Sequence, residues 1–142
     1  MPDRRALIRE YISAFNERRL QDAAGMFSAD APVQHRPRAQ MLKGPEGYLE
    51  SARQAMGSFP DLRFEILHIE QRGDTIFEID LVCTGTHLGD WTAEGLGTLK
   101  ATGQRKTLRV RETLEIRGDR ITFSSLTYNM QDFIDPIDPS AL

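Results

Sequence analysis

Few residues of this chain could do chemistry, and one of them stands on an apolar strand face. In the stretch 107–130, TLRVRETLEIRGDRITFSSLTYNM, Leu108, Val110, Leu114 and Ile116 alternate with Arg109, Arg111, Thr113 and Glu115. Period-two alternation marks a strand with one face buried and the other wet. Glu112 falls on the buried side, where a carboxylate needs partners or stays protonated. Gly118-Asp119 suits a two-residue hairpin turn. That turn pairs Ile116 with Ile121, Leu114 with Phe123, Glu112 with Ser125, Val110 with Thr127 and Leu108 with Asn129. Glu112, Ser125, Thr127 and Asn129 then share one face, polar far from the turn and apolar near it. Such a face is expected to floor a pocket.

Other candidates lie elsewhere in the chain. His35 ends a short predicted strand, APVQH, before the loop RPRAQMLKGP. It reads either as a loop histidine or as a general base, since an unperturbed imidazole titrates near neutrality. Tyr11 is either a core tyrosine with a satisfied hydroxyl or a pocket donor. His68, close to a turn, reads as structural. His87 reads equally as a pocket residue or an exposed strand end. Trp91, the single tryptophan, sits among Gly89, Gly95, Gly97 and Gly103 in the connection 88–105. That connection is expected to be a lid or a continuation of the sheet through 92–100. Its glycines lack the spacing and the strand–helix setting of a phosphate loop. Of the polar groups, His35, His87, Glu112 and Asp132 can accept a proton, whereas Asn129 can only hold a substrate through its amide.

Amphipathic segments must position these groups. Residues 3–18 carry Ile8, Tyr11, Ile12 and Phe15 at helical spacing, with Asp3 able to cap the first turn. A short helix is expected over 20–27. A third begins at Gly44-Pro45 and runs to about Gly57, with Tyr48, Ala52, Ala55 and Met56 packed inward. The segment LRFEILHIEQRGDTIFEIDLVCTGTH is a second hairpin about Gly73-Asp74, pairing Phe64 with Cys83, Ile66 with Leu81 and His68 with Ile79. The tail 135–142 is expected to be irregular. Three helices followed by two long hairpins predict an α+β domain spanning 1–142, its helices against the concave face of one curved antiparallel sheet around a pocket.

Composition narrows the functional classes. The 142 residues are 39% hydrophobic and 27% charged, with a net charge of −3. Scattered basic residues give no footprint for nucleic acid. No apolar run is long enough to span a bilayer, and MPDRRALIRE lacks a signal peptide's apolar segment, so no membrane partner is expected. The lone Cys83 suits a reducing cytoplasm. Three histidines without carboxylates at ligand spacing argue against a metal site.

The segments YISAFNERRLQDAAGMFSADAPVQHRP, KGPEGY, FPDLRFEI, GTHLG, ATGQ and the final GDRI hairpin, in this order, resemble the SnoaL-like polyketide cyclase family over nearly the full length. The resemblance implies the nuclear transport factor 2-like fold. It also implies an enzyme with no cofactor that encloses an apolar polyketide and closes a ring by aldol chemistry. In that family a carboxylate at the end of the last strand is the acid/base; along ITFSSLTYNMQ this position is Asn129. An amide takes up no proton at neutral pH, and Asp132 is either its shifted substitute or a tail residue. The chain is also similar to ketosteroid isomerases, which share the fold. Tyr11 in YISAFN matches their oxyanion-binding tyrosine, Glu112 their protonated oxyanion-hole acid, and His35 falls near their base. A limonene-epoxide hydrolase would need paired aspartates and an arginine around a water, a pattern Arg111 and Glu112 do not make.

The expectation is therefore a cofactor-independent enzyme doing cyclase- or isomerase-type proton transfer on a small, apolar, carbonyl-bearing substrate. Its expected catalytic residues are His35 as the favoured base, Glu112 stabilising negative charge on oxygen together with Tyr11, and Asn129 orienting a carbonyl or hydroxyl. Its expected substrate contacts are Tyr11, His87, Trp91, Ser125, Thr127 and Asp132. A cofactor-free oxygenase on the same scaffold and a non-catalytic ligand-binding domain are the alternatives. Leu126 and Tyr128, placed on the outer face by the two-residue turn, predict a two-fold homodimer through that face.

Overall fold

The computed structural model describes residues 3–36, 41–93 and 95–142. Residues 37–40, part of the loop expected after His35, lie outside the described residues. Helix α1 (Arg4–Asn16) starts where the Asp3 carboxylate accepts the Arg5 N–H, and it buries Ile8, Tyr11, Ile12 and Phe15. Helix α2 (Leu20–Ala24) follows, then β1 (Pro32–Arg36) and the short β2 (Leu42–Lys43). Helix α3 (Gly44–Ser58) begins at a glycine for a physical reason. Gly44 has φ +69°, and a Cβ there would lie 2.4 Å from the Ala29 carbonyl oxygen. Pro45 then sets the first turn.

The remaining strands are β3 (Arg63–Arg72), β4 (Ile76–Thr86), β5 (Trp91–Ala93), β6 (Gly97–Leu99), β7 (Arg105–Arg117) and β8 (Arg120–Tyr128). Six of the eight strands among the described residues form one sheet in the order β2-β1-β8-β7-β4-β3. Its pairings are antiparallel except β1 with β8, which run parallel and set Val33 opposite Ser124 and His35 opposite Leu126. The helices cover the face that carries Phe77, Ile79, Leu81, Leu108, Val110, Leu114 and Ile116, and together these make the core.

One extra residue changes the final hairpin from the expected pairing. Ile116 meets Ile121 as the Gly118-Asp119 turn requires, but Glu115 then pairs with Phe123, leaving Thr122 as a bulge. The Thr122 hydroxyl lies 2.6 Å from Glu115 Oε1, a local bond that holds the bulge. Beyond it, Glu112 faces Leu126 and Leu114 faces Ser124. A slip of one residue exchanges the two faces of a strand. Ser124 and Leu126 are buried and Tyr128 points with them, while Ser125 and Thr127 turn outward. The apolar outer patch that motivated a dimer does not exist, because Leu126 and Tyr128 face the helices.

The β3–β4 hairpin departs in the same way. Phe64–Cys83 and Ile66–Leu81 pair as expected, but Leu67 bulges and the turn takes three residues. Ile69 therefore takes the place opposite Ile79, and His68 pairs with Asp80 on the exposed face.

The connection 88–105 is neither a lid over the pocket nor an extension of the large sheet. It folds into a two-stranded β5–β6 ribbon. Trp91 is buried edge-on against Phe59, Tyr128 and Phe133, with centroids 5.1, 5.4 and 5.7 Å away. After β8 comes the short helix α4 (Met130–Ile134), and the tail ends in an exposed 3-10 turn at Pro139–Ala141. Among the described residues no helix is long and apolar enough to cross a membrane.

Candidate functional site

Between α1, α3 and the covered sheet face lies a pocket lined by Tyr11, Phe15, Tyr48, Phe64, Leu126 and Tyr128, with Glu112, His35 and Ser51 as its polar members. Its empty volume is about 420 Å³ including the mouth, within the span of small-molecule sites. That figure counts open space at the mouth, and the enclosed part of the cleft is narrow. Aromatic walls around one carboxyl group select for apolar ligands with a small polar end.

Glu112 is fully buried, and its two oxygens differ. Oε2 accepts the Tyr11 hydroxyl at 2.9 Å and the Ser124 hydroxyl at 2.8 Å. Oε1 has no hydrogen-bond partner among the described residues, and neither does the buried Tyr48 hydroxyl. A buried polar atom left unpaired costs about 1–3 kcal/mol, which a ligand able to pair it recovers. Burial raises the Glu112 carboxyl from 4.5 to about 7, against the opposing pull of the Ser124 and Tyr11 hydrogen bonds. Both protonation states are therefore accessible at neutral pH. Burial also raises the pKa of Tyr11 and Tyr48, so both phenols stay neutral.

His35 enters the pocket from the end of β1. Its Nε2 lies 3.1 Å from Ser124 Oγ and 4.0 Å from Glu112 Oε2, and its Nδ1 is hydrogen-bonded to Ser51 Oγ. Burial lowers its pKa to about 4, so the ring is neutral near pH 7 and a weaker base than its unperturbed value implies.

The structure thus brings Tyr11, His35 and Glu112 together and places the other expected residues elsewhere. Ser125, Thr127 and Asn129 lie on the opposite sheet face, around a shallow hollow with Asp80, Arg109, Arg111 and Thr113. Asn129 caps α4 by accepting the Gln131 N–H. Asp132 is buried in a bidentate pair with the Arg109 guanidinium, at 2.7 and 2.9 Å, and accepts the Arg109 backbone N–H at 2.9 Å. That pairing holds its carboxyl below the usual range and fastens α4 to β7. It is no substitute acid for the pocket. His87 is buried between Phe59 and Phe133, with Nδ1 accepting the Thr102 N–H at 3.3 Å. Trp91 touches the pocket only through Tyr128.

Three hydroxyl groups in or behind the pocket, those of Tyr48, Ser51 and Ser124, escaped the sequence reading. Tyr48 and Ser51 project from α3 one turn apart, and a serine on that apolar stripe was the available signal. Ser124 gave no signal, because the Thr122 bulge alone turns it inward. Among the described residues no group of three or more His, Cys, Asp or Glu is placed to hold a metal ion.

The helices capping one face of a bent sheet, with a pocket between them, define the nuclear transport factor 2-like fold, and solved structures of that form superpose closely. The chain belongs to the SnoaL-like domain family, whose model matches residues 8–124. AclR, a candidate hydroxylase from Streptomyces galilaeus, is 21% identical, with 92% of each chain covered and a TM-score of 0.73. A candidate polyketide cyclase from Silicibacter sp. TM1040 is 23% identical over 94% of each chain, also at 0.73. A protein of ketosteroid isomerase-like fold from Catenulispora acidiphila DSM 44928, solved in complex with trimethylamine, is 15% identical, covers 84% of this chain and 82% of its own, and scores 0.69. No curated protein sequence matches the chain.

Proposed function

We propose that this pocket performs cofactor-independent proton transfer on a small, apolar, carbonyl-bearing molecule, with Glu112 as the group that takes and returns the proton. One observation carries the reading: Glu112 lines an aromatic pocket with one oxygen unpartnered while its other oxygen is held by two hydroxyls. A base works best with a pKa near the working pH, and a value of about 7 suits Glu112 where about 4 does not suit His35. Oε1 removes a proton beside the carbonyl. The Tyr48 hydroxyl, its own proton uncommitted, donates to the enolate oxygen. Returning the proton to another carbon isomerises the substrate, and attack of the enolate on a second carbonyl closes a ring. The narrow cleft favours one or two rings over a larger polyketide.

The test is deuterium exchange from D₂O into a panel of cyclic ketones, with binding and oxygen uptake followed in parallel. Exchange catalysed by the protein is the expected result. Oxygen uptake with an electron-rich aromatic substrate instead would favour the oxygenase alternative.

A second reading, a binder without chemistry, has its own support. Aromatic walls around a carboxylate also suit a protonated amine. Trimethylamine binding that tightens as pH rises through about 7, with no exchange on any ketone, would favour it.

For assembly we keep the two-fold homodimer through the outer sheet face as a proposal, on polar grounds. Arg111 pairs with Asp80 at 3.0 Å there, and a two-fold axis would let such pairs be shared between copies. Light scattering at micromolar concentration is expected to give twice the chain mass; a monomer would overturn it.

A further inference from the structure

Ser51, His35, Ser124 and Glu112 form one hydrogen-bond chain drawn from α3, β1, β8 and β7, which Tyr11 joins at Glu112 Oε2. A serine hydroxyl carries one proton and a neutral imidazole one N–H, so the donors can run in only two directions. With Glu112 ionised, Ser124 must donate to Oε2, because a carboxylate only accepts. Its proton is then spent, so His35 donates from Nε2 to Ser124 and accepts at Nδ1 from Ser51. Ser51 is left with lone pairs alone for the pocket. With Glu112 protonated and the pocket empty, the proton belongs on Oε2, which has Ser124 at 2.8 Å, since Oε1 has no partner. Every link then reverses. Oε2–H donates to Ser124, Ser124 donates to Nε2, Nδ1–H donates to Ser51, and the Ser51 hydroxyl proton is released toward the pocket. The chain holds one more proton in total, the one bound by Glu112.

We propose that Ser51 is a specificity-determining residue whose hydrogen-bonding sense is set by the charge of Glu112: it presents an acceptor to ligands when Glu112 is ionised and a donor when Glu112 is protonated, the change passing through Ser124 and the tautomer of His35. The carboxyl sits at about 7, so the change falls in the neutral range. Few other groups face it. Tyr11 from α1 donates to Oε2 in both states, and Tyr48 from α3 stays neutral. From β4 the residue opposite Glu112 is Ile79, and from β8 it is Leu126. Arg18 is felt at Tyr48, and Glu50 beside Ser51 is paired at the surface with Arg53.

The inference rests on the pocket of the proposed function but not on its reaction, because the tautomer can be read with no ligand bound. Imidazole ¹⁵N shifts of His35, recorded from about pH 5.5 to about pH 8.5, are expected to move from the Nδ1–H to the Nε2–H pattern. The midpoint should coincide with the Glu112 carboxyl titration followed by ¹³C. In Ser124→Ala the tautomer should no longer follow Glu112. One tautomer throughout, or protonation to imidazolium in this range, would overturn the proposal. Cyclohexanone, which only accepts, supplies the second arm, since a neutral hydrogen bond is worth about three- to tenfold in affinity. Wild-type protein should bind it more tightly below the midpoint, and Ser51→Ala should lose about that factor of the preference. An unchanged preference in Ser51→Ala would reject Ser51 as the group that reads the charge.

Discussion

Glu112→Gln is expected to reduce ketone proton exchange by about 10²–10⁴-fold, the usual loss when a positioned base is removed. The amide keeps the shape and can still accept from Tyr11 and Ser124 through its oxygen, but it takes up no proton. In the wild type the rate should rise with pH to a plateau above about 7, because the ionised carboxylate is the proposed base. A variant rate within about threefold of wild type would move the base to another residue.

The same substitution has an opposite effect on stability. A carboxyl raised from 4.5 to about 7 on folding contributes about 3 kcal/mol in full below 4.5 and loses it as pH rises through about 7. His35, lowered from 6.5 to about 4, has the reverse slope, its contribution being present above 6.5 and lost as pH falls through about 4. The two nearly cancel in the wild type, whose urea stability should vary little from these groups between pH 4.5 and 6.5. Glu112→Gln removes one of the opposing slopes. Its stability should fall as pH drops through that window, while above pH 7 it should exceed the wild type.

Leu126→Asp is expected to cost about 4 kcal/mol or more, or to prevent folding, whereas Thr127→Asp should change stability by no more than about 0.5 kcal/mol. Leu126 is buried opposite Glu112, so the new carboxylate would lack both water and a cation. Thr127 is exposed opposite Arg111, where a carboxylate is welcome. The milder pair, Leu126→Ala at about 2–3 kcal/mol and Thr127→Ala near zero, keeps the comparison readable if the first variant does not fold. The unbulged register predicts the reverse order, so urea unfolding of these four proteins decides which face of β8 is inside.

Periodicity alone determined much of this protein. Ile8, Tyr11, Ile12 and Phe15 recur at helical spacing and are buried together, and Asp3 caps where its type and place require. The alternation in β7 assigned Glu112 to the buried face without reference to any partner strand. The segments resembling the SnoaL-like family identified fold and family correctly. A strand's inward set depends only on its own pattern, which is why Glu112 was legible. Pairing between strands is another matter, because a bulge adds a residue with no composition mark of its own. Thr122 looks like any strand threonine, yet it moved Ser125, Thr127 and Asn129 out of the pocket and brought Ser124, Leu126 and Tyr128 in. Leu67 did the same to His68. The ionisation of the site was likewise decided by tertiary structure. Glu112 and His35 have ordinary pKa values until the same enclosure, closed by α1 and α3, withdraws water from both. Desolvation penalises whichever form is charged, so it raises the carboxyl and lowers the imidazole, and it leaves Glu112 rather than His35 with a value near neutrality.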